Sequence, residues 1–230
     1  MWLTSAEGSA LWLSLRVALW STAACLLPGI AFGWLLARRQ FPGKALLDAL
    51  LHLPLVLPPV VVGYLLLLAL GRTGPVGRWL YDTLGVQLAF TWQGAVVAAA
   101  VMGFPLMVRS VRLAVELVDP RLEQAAGTLG ASPYRVFATI TLPLAVPGIV
   151  TGLLLCFARS LGEFGATITF VGNIAGQTRT LPLAMFSFLQ VPGGDAAAFR
   201  LMLISVLLSI SALLASDFLA RRAMARLGRT

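Results

Sequence analysis

Residues able to carry out acid–base, nucleophilic or metal chemistry are sparse in this sequence. His52 is the single histidine, and the two cysteines, Cys25 and Cys156, lie inside apolar runs where thiols behave as small hydrophobic groups. These residues are not clustered with the spacing of metal ligands. The single lysine, Lys44, is not followed by Ser or Thr, so the G-x-x-x-x-G-K-[ST] loop that binds ATP is missing. We therefore predict that the chain is not an enzyme and binds no metal or cofactor itself.

Hydrogen-bonding side chains are concentrated between residues 162 and 180 of an otherwise apolar sequence. Such groups could line a polar path through the protein. Ser, Thr and Asn also cap turns and bond to the backbone, and that structural role is the alternative. Arg159 and Glu163 are one helical turn apart, which predicts an ion pair, with a gate as the second interpretation. The candidate path residues are Glu163, Thr167, Thr169, Asn173, Thr178 and Arg179.

Residues 119–143, here named the interspan segment, are amphipathic and too short to form a domain. Asp119-Pro120 and Ser132-Pro133 each provide a helix N-cap followed by a proline suited to the first helical position. Gly130 is a helix stop between the two starts. Each predicted helix has two to three turns and needs a surface to pack on. The apolar stripe of the first helix consists of Leu122, Ala125, Ala126 and Leu129.

The composition places the whole chain in a membrane. Of its 230 residues, 59% are hydrophobic and 11% are charged, whereas soluble domains carry about 25% charged residues. The net charge of +8 comes from basic residues scattered between apolar runs, without the basic stripe of a nucleic-acid surface. We therefore predict an all-α, polytopic transmembrane helical bundle in contact with the lipid bilayer, and no nucleic-acid partner.

Five apolar runs are long enough to be spanning helices of a single transmembrane domain, 1–230. The stretch between the fourth and fifth runs, 163–200, is apolar but rich in glycine and hydroxyl groups. It is predicted to be extracytoplasmic or re-entrant, with a sixth crossing over 164–190 as the alternative. The predicted spans are 11–37, 53–71, 88–108, 144–161 and 201–220.

Basic residues indicate the orientation of these spans. Arginine and lysine are enriched in cytoplasmic connections, and here they cluster after the first, third and fifth spans. This pattern predicts the N-terminus outside and the C-terminus inside, with the interspan segment in the cytoplasm. The clusters are Arg38, Arg39 and Lys44, then Arg109, Arg112, Arg121 and Arg135, then Arg221, Arg222, Arg226 and Arg229.

Glycines and prolines within the spans predict how the helices pack. Gly29 and Gly33 form a G-x-x-x-G pattern that allows close helix approach. Several prolines are candidate breaks of the kind that line transport paths, although membrane helices also tolerate proline without breaking. These prolines are Pro28, Pro58, Pro59, Pro105 and Pro147.

The pattern Glu123-x-Ala125-Ala126-x-x-x-Gly130, followed by Ile140-x-Leu142-Pro143, resembles the cytoplasmic "EAA" loop of binding-protein-dependent ABC importer permeases. The resemblance implies the type I ABC importer permease fold, with cytoplasmic coupling helices seated in a separate ATPase subunit. It also implies that ATP and Mg bind to that partner and not to this chain. The implied coupling residues are Glu123, Ala125, Ala126, Gly127, Gly130, Arg135, Leu142 and Pro143.

Two further stretches resemble those of molybdate importer permeases, and this resemblance extends over nearly the whole chain. They are His52-Leu-Pro-Leu-Val-Leu-Pro-Pro-Val-Val-Val-Gly-Tyr64 and Arg159-Ser-Leu-Gly-Glu-Phe-Gly-Ala-Thr-Ile-Thr-Phe-Val-Gly-Asn173. Sulfate importer permeases share the core at 161–166, so sulfate or thiosulfate is an alternative substrate. Tungstate is another alternative, because it has the same charge as molybdate and nearly the same size. An oxyanion path needs hydrogen-bond donors and little fixed negative charge, which the polar stretch could provide.

The resemblance implies an import subunit in a bacterial cytoplasmic (inner) membrane. The implied partners are two copies of an ABC ATPase subunit, an extracytoplasmic oxyanion-binding protein and a second copy of this chain, working by alternating access. A structural membrane subunit or a secondary transporter is the competing class. Secondary transport usually requires acidic or histidine relays inside helices, and five spans do not divide into inverted repeats.

Overall fold

The computed structural model describes residues 4–227, which form eleven α-helices joined by turns and loops, with no strand in that range. A π-helical turn, Phe137–Thr141, joins α7 to α8 without interruption. The helices are α1 (Ser5–Arg38), α2 (Lys44–Val56), α3 (Pro59–Leu70), α4 (Pro75–Leu84), α5 (Trp92–Glu116), α6 (Pro120–Thr128), α7 (Pro133–Val136), α8 (Leu142–Leu161), α9 (Gly165–Val171), α10 (Leu181–Leu189) and α11 (Asp195–Leu227).

Four helical runs are long and apolar enough to cross a membrane, and the bent pair α2–α3 makes a fifth if it counts as one span. Most of these runs extend beyond the apolar stretches that predicted them. Hydropathy detects only the apolar part of a helix, whereas capping extends its polar ends. Thr4 and Glu7, for example, form a reciprocal capping box that starts α1 before the predicted boundary.

Helices α1, α5 and α8 pack together as the centre of the bundle. Close approach depends on glycine, as the G-x-x-x-G pattern predicts. A Cβ atom on Gly33 would lie 2.7 Å from Cβ of Val111 on α5, and one on Gly29 would overlap Met107. From the other side, a Cβ on Gly152 of α8 would lie 2.8 Å from Sδ of Met107. The three helices therefore meet around small residues, as is common in membrane helix interfaces.

Only one of the predicted proline sites breaks a helix among the described residues. Pro28, Pro105 and Pro147 lie inside α1, α5 and α8, which continue through them. Between α2 and α3 the chain bends by 115° at Pro58, because Leu57 before it takes an extended conformation. The broken element also begins at Lys44, before the predicted boundary at 53.

The segment between α8 and α11 contains two short helices, α9 and α10, and neither has the length of a span. The chain turns between them at 172–180. A sixth crossing by a continuous helix is therefore absent from the described part of this segment. Of the basic residues used to predict the orientation, Arg229 lies outside the described residues.

Candidate functional site

The interspan segment folds as its local signals predict. Asp119 accepts a hydrogen bond from the backbone N–H of Arg121, and α6 begins at Pro120. Gly130 has φ of +83°, the left-handed conformation that closes a helix in a Schellman motif. In that motif the N–H of Gly130 donates to the carbonyl of Gly127, and the N–H of Ala131 to that of Ala126. The predicted helix start and stop are confirmed.

Apolar side chains of the interspan segment are exposed to an unusual degree. No residue of α6 is buried. Leu129 is 88% exposed, Tyr134 of α7 is 80% exposed, and Leu122 is half-exposed. Nothing lies within 4 Å of the position of a Cβ atom on Gly127. We name Leu122, Leu129 and Tyr134 the exposed apolar residues; within the predicted stripe of α6, Leu129 is almost uncovered and Leu122 is covered by half.

The carboxylate of Glu123 turns inward instead. Its Oε1 accepts hydrogen bonds from Nε of Arg38 at 3.2 Å and from Oγ1 of Thr141 at 2.6 Å. Its Oε2 lies 3.1 Å from Nε of Arg38. Nη2 of Arg38 also donates to the carbonyl of Val118 at 2.8 Å. Glu123 therefore connects α6 to the end of α1 and to the start of the α8 run.

The second half of the interspan segment is continuous with α8. Phe137 stacks edge-on against Trp34 of α1, with ring centroids 5.8 Å apart. The N–H of Leu142 donates to the carbonyl of Phe137, which closes the π turn. Leu142 and Pro143 are half-buried in the first turn of α8, whereas Arg135 is exposed and its backbone N–H bonds to Ser132. A cavity of about 340 Å³ lies between this half, α6 and α1.

The two stretches that resemble oxyanion permeases lie against each other. A Cβ on Gly63 of α3 would come within 2.8 Å of Cα of Ala166 on α9. Conversely, a Cβ on Gly165 would come within 2.8 Å of Cβ of Pro59. The proline-rich stretch and the Gly-Glu-Phe-Gly-Ala stretch therefore form one tightly packed unit, although Gly63 and Gly165 are 102 positions apart in the sequence.

Arg159 and Glu163 form the predicted ion pair. Nη1 of Arg159 lies 2.6 Å from Oε2 of Glu163, whose side chain is buried. The other oxygen, Oε1, accepts a hydrogen bond from the backbone N–H of Ala166 at 2.8 Å. Glu163 therefore caps the first turn of α9 as well as neutralising Arg159, and both roles are structural in this conformation.

The remaining candidate path residues mainly form hydrogen bonds with side chains and backbone groups nearby in the same chain. Asn173 donates to Oγ of Ser187 at 2.7 Å and accepts from Nε of Arg179 at 2.8 Å. Thr178 is buried, accepts from the N–H of Ile174 and donates to the carbonyl of Gly172. Thr169 donates to the carbonyl of Gly165 at 2.9 Å, and Thr167 is buried. These contacts are those of the structural alternative, in which the polar groups hold the turn at 172–180.

Comparison with known proteins identifies the family. Residues 29–225 match the model of the binding-protein-dependent transport system inner membrane component. The chain belongs to this permease family. It is 61% identical to the molybdenum transport system permease protein ModB of Escherichia coli (strain K12) over 229 residues, with 100% of both chains covered. It is 56% identical to ModB of Haemophilus influenzae, with 97% of both chains covered, and 40% identical to the sulfate transport system permease protein CysT of E. coli, with 80% of this chain and 67% of that protein covered.

Solved transporters share the fold of this permease. A permease chain of the MetNI methionine ABC transporter aligns with a TM-score of 0.71 at 18% identity, covering 93% of this chain and 94% of that one. A chain of a bacterial alginate ABC importer aligns with a TM-score of 0.75 at 17% identity, covering 96% and 80%. The chain therefore has the type I ABC importer permease fold, is a multi-pass membrane protein, and is a transport subunit with no enzymatic role of its own.

Three permease contacts had no signal in the sequence. Arg38 and Thr141 bind Glu123 from 85 and 18 residues away, and Arg38 was predicted only as a topology signal. Nη1 of Arg112 lies 2.8 Å from Oδ2 of Asp48, which ties α5 to α2. Clusters of three or more metal-ligating side chains are absent from the described residues.

Proposed function

We propose that this chain is the permease subunit of an ATP-driven molybdate importer in a bacterial cytoplasmic membrane. The observation that carries the proposal is the 61% identity, along the full length of both chains, to a protein named as a molybdenum transport permease. Sulfate is the second candidate substrate, because a sulfate permease is 40% identical over most of the chain. Tungstate has the same charge as molybdate and nearly the same size, so we expect this subunit to pass both.

ATP hydrolysis belongs, in this proposal, to two copies of a separate ATPase subunit that hold ATP and Mg. The interspan segment is the docking site for one copy. Its exposed apolar residues support this assignment, since burying one Leu stabilises an interface by about 1.5–3 kcal/mol. Basic residues near the segment favour the cytoplasmic side, with the N-terminus outside and the C-terminus inside.

Two copies of the chain enclose the transport path in this proposal, and an extracytoplasmic binding protein delivers the oxyanion from outside. Closure of the ATPase pair is passed through the interspan segment to the spans, which then alternate between outward and inward access. Such coupling requires that docking of the interspan segment differ in free energy between the two states. A cysteine introduced at Gly127 tests the contact, because it should crosslink to the ATPase subunit.

The candidate path residues remain a proposal within this scheme. Thr169 and Thr178 could present hydroxyls to an oxyanion only in a conformation that breaks their present hydrogen bonds, and Thr167 only in one that uncovers it. If Thr169→Val and Arg179→Ala variants import at the wild-type rate, these positions do not line the path.

The function is tested by reconstitution. The permease, its ATPase and its binding protein are placed in proteoliposomes without a proton gradient, and uptake is measured with and without ATP. Molybdate uptake that requires ATP supports the proposal. Preferential uptake of sulfate would move the assignment to the second candidate, and uptake that follows a proton gradient instead would reject both.

A further inference from the structure

Helix α6 is held to the rest of the permease by very few contacts. None of its residues is buried, so it lacks the apolar anchorage that normally fixes a surface helix. Among the described residues, the side-chain hydrogen bonds and ion pairs of α6 with other helices are all made by Glu123, while Leu122 is half covered and faces an apolar cavity between α5 and α8. The position of α6 therefore depends on what that carboxylate binds.

The two partners of Glu123 connect it to the three central helices. Arg38 is the last residue of α1, and Thr141 is the last residue of the π turn that leads into α8. Arg38 also donates to the carbonyl of Val118, directly after α5. One network thus joins α6 to α1, α5 and α8, which pack on one another along the bundle.

The surroundings of the network strengthen it. The side chains of Arg38 and Glu123 are only 16% and 19% exposed, and Thr141 is buried. Water therefore screens the ion pair less than it screens a pair on the open surface. The π turn is also informative, because single π turns inside helices are rare and frequent at functional sites. It ends at Thr141, whose hydroxyl meets the carboxylate.

We propose that Arg38, Glu123 and Thr141 are positioning residues that carry movement of the docked α6 into α1, α5 and α8. This inference rests on the proposed function and assigns the carboxylate of Glu123 to the permease itself and not to the ATPase surface. The cavity beside the network is lined by Gly127, Ala131 and Pro133 as well as by Arg38 and Glu123. It gives the network room to shift when the exposed side of α6 is pressed by a partner.

The test measures transport per ATP hydrolysed in proteoliposomes that contain permease, ATPase and binding protein. The variants are Glu123→Gln, Arg38→Gln and Thr141→Val. Matched controls are Arg39→Gln, which removes an exposed neighbouring charge that stacks on Trp34 and makes no ion pair among residues 4–227, and Thr139→Val, which removes an exposed hydroxyl bonded locally. Each assembly also carries a cysteine at Gly127 to report docking by crosslinking.

We expect the three variants to dock the ATPase and hydrolyse ATP while uptake per ATP falls about tenfold or more, as expected for losing a hydrogen bond to a charged group. The controls should stay within about twofold of the wild type, below the effect of one such bond. Exchanging the charges in a Glu123→Arg, Arg38→Glu double variant should restore part of the coupling that either reversal abolishes.

Two results would overturn the inference: normal uptake per ATP in Arg38→Gln and Thr141→Val, or loss of ATPase docking in Glu123→Gln alone. A wild-type assembly that shows no ATP-dependent uptake would instead reject the proposed function. In that case faster hydrogen exchange of α6 amides in the Thr141→Val permease, relative to Thr139→Val, still tests the network, and unchanged exchange rejects it.

Discussion

The interspan segment and the polar turn at 172–180 are opposites in how they use their side chains. The interspan segment exposes Leu129 and Tyr134 while its one inward carboxylate is fully engaged. The polar turn is rich in hydroxyl, amide and guanidinium groups, yet Asn173, Thr178 and Arg179 bond to one another or to nearby backbone. The first region leaves apolar surface without a partner, and the second satisfies its polar groups internally.

This difference shows that residue type alone is a poor guide to a functional surface. Polar groups in an apolar chain suggest a path, but hydrogen bonds within the chain lower their capacity to bind a solute. Exposed leucine next to the ends of spanning helices is more informative, provided the segment lies outside the bilayer. Outside the bilayer, the apolar surface of such a leucine is unfavourably exposed to water, and docking of a partner removes that exposure.

The largest effect is expected from Gly63→Leu, which disrupts the packing of α3 on α9, the helix that precedes the polar turn. A side chain at this position overlaps the backbone of Ala166 and forces α3 away from α9. We expect little folded permease and no measurable uptake, since overpacking at a backbone contact costs at least about 1–3 kcal/mol. Gly8→Leu is the matched control, because no atom beyond its chain neighbours and its own helix backbone lies within 4 Å of its new Cβ. Wild-type yield and thermal stability of Gly63→Leu in detergent would contradict the close packing of α3 on α9.

The next effect is expected from Leu129→Asp in the interspan segment. Because Leu129 is almost fully exposed, the thermal stability of the isolated permease should change by less than about 0.5 kcal/mol. Binding of the ATPase should weaken about tenfold or more, as expected for losing a buried leucine from an interface. Gln124→Glu adds a charge to the same helix and should bind normally. Equal ATPase affinity of Leu129→Asp and wild type, by pull-down or light scattering, would remove Leu129 from the docking site.

A smaller effect is expected from Thr178→Val in the polar turn. The hydroxyl of this buried residue makes two hydrogen bonds, to Ile174 and Gly172. Its loss leaves the partly buried N–H of Ile174 without its partner and should lower the free energy of unfolding by about 1 kcal/mol. The preference for molybdate over sulfate should not change. A changed preference with unchanged stability would instead favour a path role for Thr178.

The smallest effect is expected from Thr180→Val, two residues away. Thr180 is also buried, but its hydroxyl has no hydrogen-bond partner among the described residues. Since valine has nearly the same shape, thermal stability should stay within about 0.5 kcal/mol of the wild type or rise. Thr178→Val and Thr180→Val make the same chemical change in one turn, so equal losses of stability would mean that hydrogen bonding does not distinguish them.

Local signals in the sequence predict much of this molecule. The caps at Asp119 and Ser132 and the stop at Gly130 were predictable because each acts within one helical turn. The membrane class followed from composition and run length. The pair of Arg159 and Glu163 was predictable for the same reason, since four residues form one turn.

Contacts between distant parts of the chain were not predictable in this way. Nothing in the local sequence of Arg38 distinguishes it from other basic residues after a span, and its partner Glu123 lies in another helix. The packing of Gly63 on Ala166 likewise depends on the bend at Pro58 and on the path of two loops. A proline predicts a possible break, but Pro28, Pro105 and Pro147 show that neighbouring helices can hold a helix together through it.

The most direct measurement of the central claim is ATP hydrolysis by the reconstituted permease and ATPase when the binding protein is loaded with different oxyanions. We predict that binding protein loaded with molybdate or tungstate stimulates hydrolysis and molybdate uptake, that sulfate-loaded protein stimulates both less, and that Leu129→Asp lowers the stimulation at limiting ATPase concentration. Stimulation by sulfate alone, or undiminished stimulation in Leu129→Asp, would contradict the account.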